Sequence, residues 1–136
     1  METQTKKVLI LDDERHCQEK AKDVIKLNSN FFAITPDVIE ICRAVERGNF
    51  IAFVDSLMKK HEPDIVLTDI QFLNDDSAGF NVASHISKDY PSVKVIGMTS
   101  SAYSYIKEVE DSKMFKLLNK EWCFDSELLN ALDNCV

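Results

Sequence analysis

Residues 8–14 read Val-Leu-Ile-Leu-Asp-Asp-Glu, four apolar residues followed at once by three acids. Residues 65–69 repeat this pattern as Ile-Val-Leu-Thr-Asp. Short apolar runs that contain β-branched residues and show no polar alternation are typical of strands buried on both faces of a parallel sheet. An acid that ends such a run lies at the carboxyl end of its strand. The two segments therefore predict a parallel sheet with carboxylates along one edge.

The rest of the chain alternates between predicted strands and predicted helices. Residues 93–97 form a third strong apolar run, and the weaker runs 31–34 and 114–118 bring the predicted strands to five. Helical spacing of apolar residues follows each strand, at residues 14–27, 36–61, 78–88, 101–111 and 124–135. Gly48-Asn49 interrupts the second helical segment, so two helices or one long kinked helix would fit; our interpretation is an extended second helix. This alternation predicts an α/β fold with helices on both faces of the sheet.

Length, composition and charge limit the class of protein. A chain of 136 residues with 45% hydrophobic and 29% charged residues fits one globular domain, and we expect residues 1–136 to form it without an output domain. The net charge of -7, from 16 basic and 23 acidic residues, argues against binding to a phosphate backbone. Nucleic acid is therefore not expected as a direct partner.

The cysteines and the N-terminus predict a soluble, cytoplasmic protein. The 4 cysteines form no C-x-x-C pair, so neither a zinc knuckle nor a disulfide framework is expected, and a reducing compartment is indicated. The apolar run after the polar N-terminus is too short for the core of a signal peptide. No segment approaches the ~20 apolar residues that a membrane span requires.

Polar residues that end the predicted strands carry the chemistry of the sequence. Asp12 and Asp13 follow the first strand, Asp69 the third, Thr99 the fourth and Lys120 the fifth. In parallel α/β folds the reactive groups collect beyond the carboxyl ends of the strands. Three converging carboxylates favour a hard divalent cation such as Mg²⁺, while a lysine and a hydroxyl group suit phosphate oxygens. The set predicts phosphoryl transfer to a carboxylate.

On these segments the chain resembles the receiver domain of two-component response regulators, of the type found in chemotaxis regulators. The matching segments are VLILDDE at 8–14, PDIVLTD at 63–69, AGF at 78–80, VIGMTS at 95–100 and LLNK at 117–120. Their order and spacing are more specific than any one of them. The resemblance covers essentially the whole chain and implies a flavodoxin-like strand order, 2-1-3-4-5.

The resemblance also implies a role for each site residue. Asp69 would be the phosphorylated residue, and Thr99 and Lys120 would sense and bind the phosphoryl group. The Mg²⁺ ligands would all be oxygen atoms, from the carboxylates of Asp12, Asp13 and Asp69 and the backbone carbonyl of Gln71. Enzymatic activity would be limited to self-phosphorylation and autodephosphorylation.

Partners follow from the same resemblance. A histidine kinase or a histidine phosphotransfer protein would supply the phosphoryl group, either directly or within a phosphorelay. The fourth predicted helix, fifth strand and fifth helix would offer a surface for a target protein or for a second copy of the chain. Tyr105 and Trp122 flank these elements, together with Tyr103 and Phe124, and most of these aromatic residues are expected in the core.

Several positions depart from the family pattern. Leu73 stands where a proline usually follows the phosphoacceptor by four positions, and residues 74–77 make that loop about two residues longer by comparison with the family. Leu117 stands where the family often carries the Tyr or Phe of a rotamer switch, and Glu121 replaces a common proline. The sequence therefore predicts that the residues for phosphoryl transfer are present, while the loop after Asp69 and the structural response to phosphorylation are atypical.

Three alternative interpretations also fit the sequence. Asp12 and Asp13 could simply cap a helix. A Mg²⁺-dependent phosphohydrolase could also use an aspartyl phosphate, but such enzymes usually carry a second acid two residues beyond the nucleophile, where this chain has Gln71. A degenerate receiver used only for docking would account for the departures.

Two groups of polar residues lie outside the predicted site. Asp75 and Asp76 could add an acidic feature near the site, although a solvated loop is favoured. His16, His61 and His85 each stand alone on or near a predicted helix, so a histidine metal site or a histidine base is not expected.

Overall fold

A five-stranded parallel sheet organises the part of the chain that the structure describes. The computed structural model describes residues 5–72, 75–100, 105–121 and 124–135. The strands are β1 (Lys6–Leu11), β2 (Phe31–Ile34), β3 (Ile65–Asp69), β4 (Lys94–Thr99) and β5 (Lys116–Asn119). They pair in parallel in the order β2-β1-β3-β4-β5. The predicted parallel sheet and its strand order are confirmed.

The bounds of β4 and β5 differ from the predicted runs at both ends, and β1 starts two residues earlier than its run, at Lys6. β4 starts one residue later than predicted, since the Val93 amide bonds the Tyr90 carbonyl in a turn, and it extends to Thr99. β5 ends at Asn119, which pairs with Thr99. Met114 lies before β5, because its amide bonds a carbonyl of the preceding helix. Apolar composition alone therefore misplaced the ends of both strands.

Six helices cover the two faces of the sheet within the described residues. They are α1 (Arg15–Ile25), α2 (Val38–Glu46), α3 (Phe50–His61), α4 (Ala78–Asp89), α5 (Ile106–Ser112) and α6 (Phe124–Asn134). One face of the sheet packs on α1 and α6, and the other packs mainly on α2, α3 and α4. An apolar core lies on each face of the sheet, and alternate residues of β1 point into one or the other. Val8 and Ile10 pack in the core on the side of α1 and α6, and Leu9 and Leu11 pack in the core on the opposite side. All four are fully buried, which explains the apolar run that opens the sequence.

The second helical segment is elongated as predicted and forms two helices, which was one of the two alternatives; the interpretation as one extended helix is wrong. Gly48 separates them with a positive φ of 71°, a conformation that glycine adopts without steric cost. The Asn49 amide then donates to the Ala44 carbonyl, which closes the end of α2. Asp37 caps the start of α2 by accepting a hydrogen bond from the Ile39 amide at 2.9 Å. Local turn geometry therefore ends α2 before α3 begins.

The fourth predicted helix, at residues 101–111, corresponds to α5. Helix α5 spans Ile106–Ser112 and stops at Lys113, whose φ of 62° is left-handed. The predicted start at residue 101 lies outside the described residues. The longest described helices, α3 and α4, have 12 residues each, and none in the described ranges is suited by length and apolarity to cross a bilayer.

Candidate functional site

The register of the parallel strands brings the predicted site residues to one edge of the sheet. Leu11 pairs with Thr68, so Asp12 follows β1 at the level where Asp69 ends β3. On the other side of β3, Asp69 pairs with Met98, the neighbour of Thr99. These pairings account for the spacing of the motifs along the chain, because each motif places one polar side chain at the same end of its strand.

Three carboxylates meet at this edge. The side chains of Asp12, Asp13 and Asp69 each offer an oxygen, and these oxygens lie within 4.8 Å of one another. Asp12 is fully buried, Asp69 is 6% exposed and Asp13 is half-buried. Buried acids are rare unless they are paired or bind a metal. Such a cluster is costly to the fold, so its presence points to a binding role.

Lys120 links two of these acids. Its ammonium group donates to Asp12 Oδ2 at 3.0 Å and to Asp69 Oδ2 at 3.1 Å. Its position is fixed by the backbone, since the Lys120 amide donates to the Thr99 carbonyl at 2.9 Å just beyond the paired strand ends. Among the residues that the structure describes, Lys120 is the cation that ion-pairs with both Asp12 and Asp69.

The site disfavours the charged form of the two buried acids and favours the charged form of the lysine. Burial raises the pKa of Asp69 to about 6, with a further rise from Asp12, although Lys120 opposes both. Burial likewise raises the pKa of Asp12 despite the attraction of Lys120. For Lys120 burial acts to lower the pKa, but the charges of Asp12 and Asp69 outweigh it and raise the pKa above its ordinary value. The site is therefore short of positive charge.

The alternative in which the first acids merely cap a helix is not supported. The N-cap residue of α1 is Glu14, and no side chain caps the helix there. Asp12 instead accepts the Glu14 amide at 2.9 Å through Oδ1 and the Lys120 ammonium through Oδ2. The hydrogen bond from the Glu14 amide orients the Asp12 carboxylate, so that Oδ2 points to Lys120 and the other acids.

Helix α4 holds the backbone of Asp69 in place. Gly79 packs so closely that a Cβ atom there would lie 2.3 Å from the Asp69 carbonyl oxygen and 2.6 Å from Ile70 Cα. The Gly79 amide also donates to the Ile70 carbonyl at 2.9 Å. Only glycine permits this approach, which explains the glycine in the Ala78-Gly79-Phe80 segment. The predicted start of this helix at Ala78 is confirmed.

A cleft of about 460 Å³ opens above the carboxylates. Its lining includes Asp13, Asp69, Gln71, Thr99 and Lys120, so five of the six predicted site residues reach it. Asp12 lies beneath them and is fully buried. Thr99 is also nearly buried, at 2% exposure. The cleft has room for a phosphoryl group together with a hydrated ion.

The loop after Asp69 holds its two acidic residues away from the carboxylate cluster. Phe72 and Asp75 form a backbone bridge, and the Asp75 carboxylate accepts hydrogen bonds from the amide and hydroxyl of Ser77. Asp75 and Asp76 are exposed, and the carboxylate cluster does not include them within the described residues. The solvated-loop interpretation is confirmed for this pair. Leu73 and Asn74 lie outside the described residues, as do Tyr103 and Trp122.

Sequence reasoning missed a contact between the site loop and α5. The side-chain amide of Gln71 donates to the Tyr105 hydroxyl at 3.1 Å. The Tyr105 ring packs on Phe80 of α4 with a centroid distance of 5.3 Å. Leu117, at the position of the missing switch aromatic, packs in the same apolar core as Tyr105. Helical spacing alone gave no signal that Tyr105 would contact Gln71.

Comparison with protein families identifies the class of the chain. A family model described as the response regulator receiver domain matches residues 8–133. The chain belongs to this family. The match includes every residue of the carboxylate cluster and Lys120. A receiver domain of a two-component system therefore accounts for the fold and for the position of the cleft.

Curated relatives of this receiver domain are response regulators. The response regulator protein VraR of Staphylococcus epidermidis is 28% identical over 115 residues, which cover 83% of this chain and 44% of the relative. VraR of Staphylococcus aureus is 27% identical over 117 residues, covering 85% and 46%. The chain thus spans less than half the length of the curated relatives it matches.

Solved structures support the receiver fold. The signal receiver domain of an HD domain-containing protein from Pseudomonas fluorescens matches with a TM-score of 0.75 and 18% identity, covering 99% of this chain and 89% of that one. The response regulator TrrA of Thermotoga maritima, solved with Mg²⁺ and BeF, matches with a TM-score of 0.73 and 20% identity, covering 97% and 100%. At these identities the likeness concerns the fold.

Proposed function

We propose that this receiver domain accepts a phosphoryl group on Asp69 from a phosphohistidine, with Mg²⁺ bound beside it, and that the modification changes how the domain binds a partner. The observation that carries the proposal is the contact of Lys120 with both Asp12 and Asp69 inside a buried cluster of acids. A histidine kinase or a histidine phosphotransfer protein is the proposed donor, because it presents a phosphorus–nitrogen bond to the acceptor.

Asp69 is the acid best placed to act as nucleophile. It ends the central strand β3 and lines the cleft, whereas Asp12 is fully buried beneath it. An oxygen of the Asp69 carboxylate attacks phosphorus, the phosphorus–nitrogen bond breaks, and its electron pair returns to the imidazole of the donor. The product is an acyl phosphate on Asp69 and an unmodified histidine.

The donor atoms present fit Mg²⁺. The proposed ligands are the carboxylates of Asp12, Asp13 and Asp69 with the backbone carbonyl of Gln71, all oxygen atoms, as this ion prefers. Lys120 can offset one of the three negative charges, and a divalent cation is suited to offset the other two. When bound, Mg²⁺ would neutralise charge that develops on the transferred phosphoryl oxygens.

Lys120 and Thr99 are the proposed phosphoryl-binding residues. The ammonium group of Lys120 already lies 3.1 Å from Asp69 Oδ2, so a phosphoryl group added to this carboxylate would remain within its reach. Thr99 lines the same cleft and can donate its hydroxyl to a second oxygen. The phosphoryl group carries a charge of about −1.5 to −2 in place of the single negative charge of the carboxylate, and both residues would attract it.

Tyr105 offers a route for the readout in the absence of a switch aromatic at Leu117. Gln71 supplies a proposed metal ligand from its backbone and contacts Tyr105 through its side chain. A shift of Gln71 on metal binding or phosphorylation would therefore be felt at the start of α5. Such a coupling needs two states whose relative population the phosphoryl group changes.

The same contacts weigh against the alternatives. A phosphohydrolase would need a proton donor near the acyl phosphate, but the side chain of Gln71 is an amide and already donates to Tyr105. A receiver used only for docking would not need to keep a costly cluster of buried acids. Both considerations favour a reversible phosphoacceptor.

Labelling with a small phosphoryl donor tests the proposal. Incubation with phosphoramidate, which carries the relevant phosphorus–nitrogen bond, or with acetyl phosphate should label the wild type in the presence of Mg²⁺. Asp69→Asn should abolish labelling, and chelation of Mg²⁺ should suppress it. Asp23→Asn provides a matched carboxylate-to-amide control, because Asp23 is exposed on α1.

The outcomes separate the proposed functions. Stoichiometric label that Asp69→Asn removes and Asp23→Asn preserves supports the acceptor. Persistent label in Asp69→Asn assigns the acceptor to another residue and contradicts the proposal. Rapid turnover of phosphomonoesters would favour the phosphohydrolase, and absence of both Mg²⁺ binding and label would favour docking alone.

A further inference from the structure

A second cluster of potential metal ligands lies around the start of α1. Glu14, His16 and Cys17 each offer one ligand atom, and the three atoms lie within 4.8 Å of one another. His16 Nε2 lies 3.4 Å from Glu14 Oε2 and 3.4 Å from Cys17 Sγ. Only Arg15 separates Glu14 from the other two residues along the chain, so the first turn of the helix sets the arrangement.

The two distances match a tetrahedral coordination shell. Metal–nitrogen and metal–oxygen bonds of about 2.0–2.1 Å and a metal–sulfur bond of about 2.3 Å, at tetrahedral angles, give N···O separations of about 3.4 Å and N···S separations of about 3.5 Å. His16 therefore already lies at the required distance from both of the other ligand atoms. A metal ion could therefore bind with little change in the position of His16 relative to Glu14 and to Cys17.

The chemistry of the donors selects the kind of ion. A thiolate, an imidazole and a carboxylate together suit Zn²⁺ and neighbouring transition metals, whereas Mg²⁺ prefers oxygen ligands alone. The neighbouring cluster of Asp12, Asp13 and Asp69 offers only oxygen. The two clusters are thus chemically matched to different ions.

Neither a stabilising ion pair nor a reactive thiol accounts for all three residues. The side chains of His16 and Glu14 are 79% and 55% exposed, and ion pairs in such positions contribute little to stability. A nucleophilic cysteine would need a lowered pKa, but burial raises the pKa of Cys17, and the nearby acids Asp12 and Glu14 add to the rise despite Lys120. Neither ordinary role therefore explains why the three ligand atoms lie together.

We propose that Glu14, His16 and Cys17 form a transition-metal site, most suited to Zn²⁺, at the rim of the phosphoacceptor cleft. The three residues supply three ligands, and the fourth position faces the cleft or solvent. Isolated histidines on helices had suggested no histidine metal site; the pairing with Cys17 revises that expectation for His16. Because all three residues line the same cleft as Asp69, a bound ion would slow the approach of a phosphoryl donor.

Cobalt substitution tests the site without reference to phosphorylation. We expect the full chain, in excess Mg²⁺ to fill the oxygen site, to bind Co²⁺ with the thiolate charge-transfer absorption and the visible bands of tetrahedral Co²⁺. Zn²⁺ should displace it. Cys17→Ser should remove the charge-transfer band, and His16→Gln should weaken binding by roughly tenfold or more.

Matched controls use another cysteine and another histidine of the chain. Cys135→Ser and His61→Gln should leave the spectrum and the affinity unchanged, because both residues lie outside the cluster. Absence of the band in the wild type, or its persistence in Cys17→Ser, would overturn the proposal. The slowing of Asp69 labelling by Zn²⁺ rests on the proposed function, whereas the cobalt spectrum does not. A normal spectrum without labelling would therefore reject only the phosphoacceptor.

Discussion

Asp69 and Asp55 are both carboxylates that contact side chains of other elements, yet their pKa values shift in opposite directions. Burial raises the pKa of Asp69 to about 6, and the pull of Lys120 does not compensate. Burial acts on Asp55 in the same sense, but the hydrogen bonds from His85 and Tyr90 and the nearby positive charges together outweigh it and lower the pKa. One carboxylate is held in an unfavourable charged state, and the other is stabilised by its partners.

The setting of each acid explains the difference. Asp55 on α3 lies 2.6 Å from His85 Nε2 of α4 and accepts the Tyr90 hydroxyl at 3.2 Å, so the contact joins two helices at the surface. Asp69 shares its single lysine with Asp12 in the interior. A cluster that stabilises the fold satisfies its charges within the chain, whereas a binding site leaves charge for a ligand to satisfy. Replacement of the acid by its amide should therefore change stability in opposite directions at Asp69 and at Asp55.

The largest effect should follow from Lys120→Met in the absence of divalent cations. The substitution leaves Asp12 and Asp69 buried without their ammonium partner, and breaking a buried pair in this way costs about 3–5 kcal/mol. Urea denaturation near neutral pH measures the loss. Added Mg²⁺ should recover part of it, and a stability equal to wild type would contradict the charge imbalance of the site.

Asp69→Asn should have the opposite sign. The folded-state pKa of about 6 exceeds the ordinary value near 3.9, so the folded protein holds this proton more tightly and loses stability as pH rises between these values. The amide cannot ionise, and we expect the variant to gain about 1–3 kcal/mol over wild type above about pH 7 without divalent cations. The gain should vanish below about pH 4, where the carboxyl is protonated in both states. A loss of stability at neutral pH would show that the cluster is not under strain.

Asp55→Asn should lower stability by a smaller amount. Its depressed pKa means that the charged carboxylate stabilises the fold above the ordinary carboxyl pKa, and that this contribution is lost as pH falls through the lowered value. Because the hydrogen bond involves a charged group at a partly exposed position, we expect the free energy of unfolding to fall by about 1 kcal/mol. Thermal unfolding at neutral and acidic pH measures both parts, with Asp23→Asn as the control. A stabilised variant would remove the contrast with Asp69.

Tyr105→Phe should change stability least but should sharpen the functional side of the comparison. The substitution removes the hydroxyl that accepts from Gln71 and keeps the ring that packs on Phe80. We expect labelling of Asp69 to persist, while the change in hydrogen-exchange protection of α5 on adding Mg²⁺ and a beryllium fluoride phosphoryl mimic becomes smaller. An unchanged response in α5 would exclude Tyr105 from the readout.

Much of the fold was predictable because buried strands carry a strong local signal. The runs before Asp12 and Asp69 are apolar on both faces, and the order of their motifs placed the acids and Lys120 at one edge. Strand ends were harder, because Thr99 and Asn119 pair through backbone groups that their polar side chains do not reveal. The break at Gly48 was visible as an interruption, yet its outcome depends on a left-handed turn that composition does not specify.

The parts of the site that escaped prediction depend on side-chain contacts. Gln71 meets Tyr105 across 34 positions of sequence, and neither residue type signals the other. His16 and Cys17 are adjacent, but the side chains of adjacent helical residues usually point in different directions. Their proximity to each other and to Glu14 could therefore not be predicted from the sequence. Local sequence patterns therefore predicted that the acids lie at the ends of the strands, whereas the residues that surround these acids are determined by tertiary packing.

The assignment of Asp69 as the residue that accepts the phosphoryl group is tested most directly by mapping the modified position. Treatment of the protein with phosphoramidate and Mg²⁺, followed by borohydride reduction, converts an aspartyl phosphate to homoserine, which peptide mass spectrometry locates. We expect homoserine at position 69 and an unmodified acid at positions 12 and 13. Homoserine at either of those positions, or a stable phosphoryl group on His16, would contradict the assignment.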